Sequence, residues 1–134
     1  MNFIQLFEEQ RKLDFHIEVK HPEKKSEDRF SKKKIALLVE IGELANELPE
    51  IFKFWSHKKN NYENALVELV DCFHFILSIG LKIKYDYRSL DISYPSFENV
   101  TEDDLLERFD SFFFYASRVV DVNHYHDLFR SFLT

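Results

Sequence analysis

The chain has 134 residues, 45% apolar and 31% charged, with a formal net charge of −6; that is length for one core and no basic surplus of the kind a general nucleic-acid binder carries. Two glycines and three prolines are too few for the tight turns of a β-sandwich or a Rossmann-type sheet. Long helices with short connections fit instead, so the expectation is an all-α helical bundle of four to five helices, one domain over 1–134.

In chain order, helical spacing of Phe3, Ile4, Leu6, Phe7, Leu13, Ile17 and Val19 predicts a first helix over about 2–19. Residues 21–29 are polar, contain Pro22 and read as a mobile linker. Ser31 is the expected N-cap of a second helix to about Leu48, and Lys32, Lys33 and Lys34 read as its solvated start. Pro49 then kinks the chain or opens a new turn carrying Glu50 to Trp55. After a polar loop, a third and most apolar helix spans about Tyr62 to Tyr85. Asp86 to Val100 reads as loop, with at most a turn of helix. Thr101 followed by three acids is a capping signature for a fourth helix, with Leu105, Leu106, Phe109, Phe112, Phe113, Ala116, Val119 and Val120 inward. Residues 123–133 extend it or form a fifth.

Other features set the chain's surroundings. The lone Cys72 gives no disulfide framework and points to a reducing, cytoplasmic compartment. The start of the chain has no signal-peptide pattern, and no uncharged stretch reaches the length of a membrane span. Neither nucleic acid nor membrane is expected as a partner. Fifteen phenylalanines are more aromatic surface than a lone small bundle readily hides, which points to a homodimer.

The chemistry lies in two acidic pairs, Glu40 with Glu43 and Glu68 with Asp71. Residues three apart share a helix face, so each pair points two carboxylates one way. Glu68 and Asp71 stand among apolar neighbours, where an unpaired carboxylate costs several kcal/mol or shifts its pKa. Either both acids pair with lysines across the core, or facing pairs hold a hard divalent cation, Mg²⁺ being the natural choice. With metal, two facing pairs suit hydrolysis of a phosphate bond: one carboxylate not spent on metal takes the water's proton. A di-iron site normally uses Glu-x-x-His motifs, and the second motif here is Glu-x-x-Asp, so redox chemistry is the weaker alternative.

The pattern Glu40-x-x-Glu43, a gap of 24 residues, then Glu68-x-x-Asp71 resembles the signature of the all-α nucleoside triphosphate pyrophosphatases, the MazG-like superfamily. The flanks Phe52-Lys53-Phe54-Trp55-Ser56, Cys72-Phe73-His74-Phe75 and Gln10-x-x-Leu13-Asp14-x-x-Ile17 closely resemble its dimeric dUTPase branch, over roughly residues 5–80. The resemblance implies a homodimer that hydrolyses dUTP, and usually dUDP, to dUMP with Mg²⁺. By it, Glu40, Glu43, Glu68 and Asp71 bind metal, and one of the glutamates activates the water. His74 and Phe75 lie against deoxyribose and uracil, Gln10 and Asp14 sit near the base, and Trp55 with Lys53 or Ser56 reaches phosphates or sugar. That family usually continues into a cationic C-terminal segment, expected to begin where this chain ends at Phe132-Leu133-Thr134. The two alternatives that stay open are a MazG-like pyrophosphatase of other nucleotide preference and a nucleotide-binding regulatory homologue with weak turnover.

Overall fold

The structure, a computed structural model, describes residues 2–90 and 100–133. Part of the 86–100 loop expectation therefore falls outside the described residues. Five helices follow one another: α1 (Phe3–Lys20), α2 (Arg29–Glu47), α3 (Tyr62–Lys82), α4 (Glu102–Arg118) and α5 (Val122–Leu133), with 3₁₀ turns at Pro49–Ile51 and Tyr87–Ser89. No strand occurs among the described residues. The 123–133 segment is a separate helix, because Asp121 interrupts the chain and caps the new start, accepting the His124 N–H at 3.0 Å.

Local chemistry sets each boundary. Asn2, Asn61 and Thr101 accept the N–H three residues on, and Thr101 shares a full capping box with Asp104. The second helix starts earlier than expected. Asp28, not Ser31, is its N-cap, and Ser31 gives Asp28 both its backbone N–H (3.0 Å) and its hydroxyl (2.6 Å). The third helix ends earlier, at Lys82. Lys84 adopts φ 59°, and Tyr85 N–H bonds Gly80 O at 2.9 Å while Lys84 N–H bonds Leu81 O at 3.2 Å, which is a Schellman stop.

The 21–28 connection is tied down, contrary to the mobile linker expected. The Arg29 guanidinium bonds Glu18 at 2.8 Å, Glu27 at 3.1 Å and the His21 carbonyl, and Lys82 pairs with Glu23 at 2.9 Å. Two N–H or ammonium donors beside that guanidinium, Lys24 N and Lys32 Nζ, hold the Glu27 carboxyl down at about 2.

The helix α3 is the centre. By length and composition alone it is apolar enough to cross a membrane; here α1, α2 and α5 pack against it. Its Cys72, Ile76 and Ile79 are fully buried with Leu37 and Ile41 of α2, Phe7 of α1, and Tyr125, Leu128 and Phe129 of α5. Many of the aromatics are spent inside: Phe7 stacks on Tyr87 at 4.3 Å and Phe73 on Phe132 at 5.0 Å. Several residues expected inward face out, among them Ile4, Leu13, Ile17, Val19, Leu106 and Val120. On α1 the buried positions are Phe7 and the polar Gln10, so this helix meets the bundle through a narrower stripe than its apolar content suggests.

Candidate active site

Two side-chain bonds fix how α2 and α3 lie together. Lys33 Nζ donates to Ser78 Oγ at 2.7 Å, and Asn64 Nδ2 donates to Glu47 Oε2 at 3.4 Å. The helices run antiparallel, locked in one register at both points. Turn by turn between them, that register sets Glu40 opposite Asp71 and Glu43 opposite Glu68. The acidic stripe lies beside, not on, the buried stripe of Leu37, Ile41 and Leu44, so the four carboxylates line a seam at the edge of the core.

One oxygen each of Glu40, Glu68 and Asp71 lies within 4.8 Å of the others, and all three residues are partly buried. Glu43 is more exposed and stands outside that trio, but its charge and a hydrogen bond act on Glu40. Burial first, then the charges of Glu43, Asp71 and Glu68, push the Glu40 carboxyl up. Burial, then Glu43, Asp71 and Glu47, push Glu68 up. Among the described residues, no lysine or arginine forms an ion pair with these four acids, so the lysine-paired alternative does not describe them there. Converging hard oxygens with an uncompensated negative field fit a divalent cation of the Mg²⁺ kind.

The first helix supplies the third wall. Gln10 meets His74 and Asp14 meets Ser78 (2.7 and 2.6 Å), so α1 runs parallel to α3. An open cleft of about 860 Å³ lies between the three helices, lined by Glu40 and Asp71 at one end, by Gln10, Asp14, His74, Phe75 and Ser78 in the middle, and by Arg29 and Lys82 beyond. Four of the six residues expected to touch nucleotide thus share one cleft with Glu40 and Asp71. Lys53 and Trp55 do not line it. Lys53 Nζ bonds Asn46 Oδ1 at 2.9 Å and lies over the Phe52 ring, and Trp55 is 66% exposed, edge-on to Phe54. Both follow the 3₁₀ turn at Pro49, which carries the chain out of the bundle.

Among the cleft residues that sequence reasoning missed, Lys33 and Ser78 bond directly to Asp14. Lys33 is not a solvated helix start: it turns in to Asp14 and Ser78, its side chain only 23% exposed. Ser78 continues the Glu68–Asp71–Phe75 face by one more turn of α3. That periodicity was the available signal for Ser78, whereas nothing in a run of three lysines says which one turns inward.

An all-α bundle that sets acidic pairs face to face beside a nucleotide-sized cleft suits metal-assisted hydrolysis of a phosphate bond, in keeping with the helical nucleoside triphosphate pyrophosphatases that the sequence resembles. A family model described as dUTPase matches residues 2–134. The chain therefore belongs to the dimeric, all-α dUTPase family, and dUTP diphosphatase is its activity. No curated protein and no solved structure matches it.

Proposed function

We propose that the chain hydrolyses dUTP, and also dUDP, to dUMP with Mg²⁺ held by Glu40, Glu43, Glu68 and Asp71. The convergence of Glu40, Glu68 and Asp71 within 4.8 Å carries this reading. Bound there, a divalent cation supplies charge neutralisation for the phosphates and acidifies a coordinated water. Burial and the neighbouring acids push the Glu40 and Glu68 carboxyls up, which a bound cation would offset; a carboxylate not spent on the cation would accept the water's proton. Phe75, with His74 beside it on α3 and Gln10 and Asp14 on α1, walls the nucleoside part of the cleft. A rigid aromatic wall leaves little room for an added methyl or hydroxyl.

The homodimer belongs to the same proposal. The second and third helices expose Ile35, Val39, Leu66, Val67 and Val70, and the loop between them exposes Phe54 and Trp55; that is more apolar surface than a small monomer normally leaves open. Turnover of dUTP, dUDP, dCTP, dTTP and UTP with Mg²⁺, each repeated with excess chelator, tests the assignment. The expected result is preference for the deoxyuridine nucleotides and loss of activity with chelator. Equal turnover of all four triphosphates defeats the dUTP specificity, and undiminished turnover in chelator defeats the metal site.

A further inference from the structure

The middle of the cleft holds a hydrogen-bonded chain that runs from α2 through α3 and α1 and back to α3. Lys33 Nζ donates to Ser78 Oγ (2.7 Å), and Ser78 Oγ donates to Asp14 Oδ2 (2.6 Å), which Lys33 also approaches at 3.4 Å. The other oxygen of Asp14 accepts from Gln10 Nε2 at 2.8 Å, and Gln10 Oε1 lies 2.7 Å from His74 Nδ1. Each link has one polarity. An ionised carboxylate only accepts, so Asp14 requires the NH₂ side of the Gln10 amide. That turns the amide oxygen toward His74. An amide oxygen only accepts as well, so the proton must sit on His74 Nδ1. Gln10 is 5% exposed, so rotating its amide would set two acceptors, Gln10 Oε1 and Asp14, face to face away from water.

We infer that Asp14, held by Ser78 and Lys33, is a positioning residue that acts through Gln10 to lock His74 in its Nδ1–H tautomer. The lone pair is then on Nε2, on the side of the ring turned away from Gln10 and toward the cleft that His74 lines. His74 thereby presents an acceptor, which takes a hydrogen bond from a hydroxyl of the bound nucleotide's sugar. An exposed neutral imidazole in water favours the opposite tautomer, which turns an Nε2–H donor rather than an acceptor toward that hydroxyl. An acceptor at Nε2 takes an O–H or N–H donor; the sugar hydroxyl is the donor that the resemblance to the dUTPases places against His74, and the relay sets the acceptor before the substrate arrives. The sugar-binding half of the inference rests on the proposed dUTP site; the tautomer half does not.

The test separates the two. Long-range ¹⁵N–¹H correlation spectra of ¹⁵N-histidine-labelled protein, recorded where imidazole is neutral, report the tautomer of each of the six histidines, with His74 assigned by its loss in His74→Phe. The expected result is an Nδ1–H signature for His74 in the substrate-free protein. In Asp14→Ala, and to a smaller degree in Ser78→Ala, that signature moves toward Nε2–H. For dUTP, Asp14→Ala is expected to raise KM about tenfold with kcat changed less than threefold, as loss of binding common to substrate and transition state requires. An Nε2–H signature in the unaltered protein overturns the inference. So does an unchanged Nδ1–H signature in Asp14→Ala, or in Gln10→Leu, which removes the acceptor itself, if the first variant does not fold. Should the tautomer shift as expected in a protein that hydrolyses no dUTP, the relay stands and the proposed function fails; normal hydrolysis with the wrong tautomer gives the reverse.

Discussion

Gly80→Ala perturbs the packing that holds α3, the helix carrying half of the site, against α5. A Cβ at Gly80 would lie 2.4 Å from Tyr125 Oη, 2.6 Å from Cζ and 3.0 Å from Cε1. Such separations are not tolerated, and the colliding atoms are not the free end of a flexible chain. Tyr125 is fully buried, and its hydroxyl donates to the Ile76 carbonyl at 2.9 Å. The ring must shift, which costs about 1–3 kcal/mol for overpacking and about 1 kcal/mol for the displaced hydrogen bond. Alanine returns about 1 kcal/mol through helix propensity. The net is a loss of about 1–3 kcal/mol. With an m-value of about 2 kcal/mol/M, a loss of ~2 kcal/mol lowers the urea midpoint by about 1 M, measured at one fixed protein concentration so that self-association does not enter the comparison. At Gly42 a new Cβ meets nothing within 4 Å inside the chain, so the same change there lacks the clash. A Gly80→Ala protein as stable as the unaltered one would refute the claim that α5 closes on α3 through this glycine.

Further outcomes follow from the site and its supports. Because the Glu40 carboxyl is raised, the folded protein holds its proton more tightly than the unfolded chain, so this group costs stability as pH rises above its ordinary value of 4.5. Glu40→Gln should therefore raise the metal-free Tm at pH 7, leave it nearly unchanged at pH 4, and lower dUTP turnover at least a hundredfold. Glu27 runs the other way: its carboxyl is depressed to about 2, so its contribution is full above pH 4.5 and lost as pH falls toward 2. The Tm gap between the unaltered protein and Glu27→Gln should close over that window in thermal melts. Lys84→Gly should stabilise the chain by about 1 kcal/mol, measured by urea unfolding, since Lys84 occupies the left-handed position of the Schellman stop. The Cys72 thiol is fully buried and pushed up to about 12, by burial first and then by Glu40, Asp71 and Glu68; it should resist thiol reagents at pH 8 and label fully in urea.

How far the sequence alone reached can be traced residue by residue. Glu68 and Asp71 were legible because carboxylates among Leu66, Leu69, Val70 and Phe73 demand a reason. Their partners Glu40 and Glu43 were legible because a short connection makes neighbouring helices antiparallel. Helix existence and type followed from periodicity and from the shortage of glycine and proline. The boundaries did not. Asp28 took the cap that Ser31 was expected to take, since both are good caps three residues apart. Lys84 ended α3 in a conformation that lysine rarely adopts, so nothing in its identity announced a stop. Lys33 joined the cleft because α1 brings Asp14 across from 19 residues away, a contact that depends on the packing of three helices. Lys53 and Trp55 stayed out of it because the turn at Pro49 leads them away from the bundle.

The proposed function requires carboxylates from α2 and α3 to hold a cation jointly with the triphosphate. Calorimetric titration of Mg²⁺ with a non-hydrolysable dUTP analogue, into the unaltered protein and into Glu68→Ala, measures this directly. The account predicts metal-dependent binding that weakens at least tenfold in Glu68→Ala. Equal affinity in the two proteins, or binding indifferent to Mg²⁺, would contradict it.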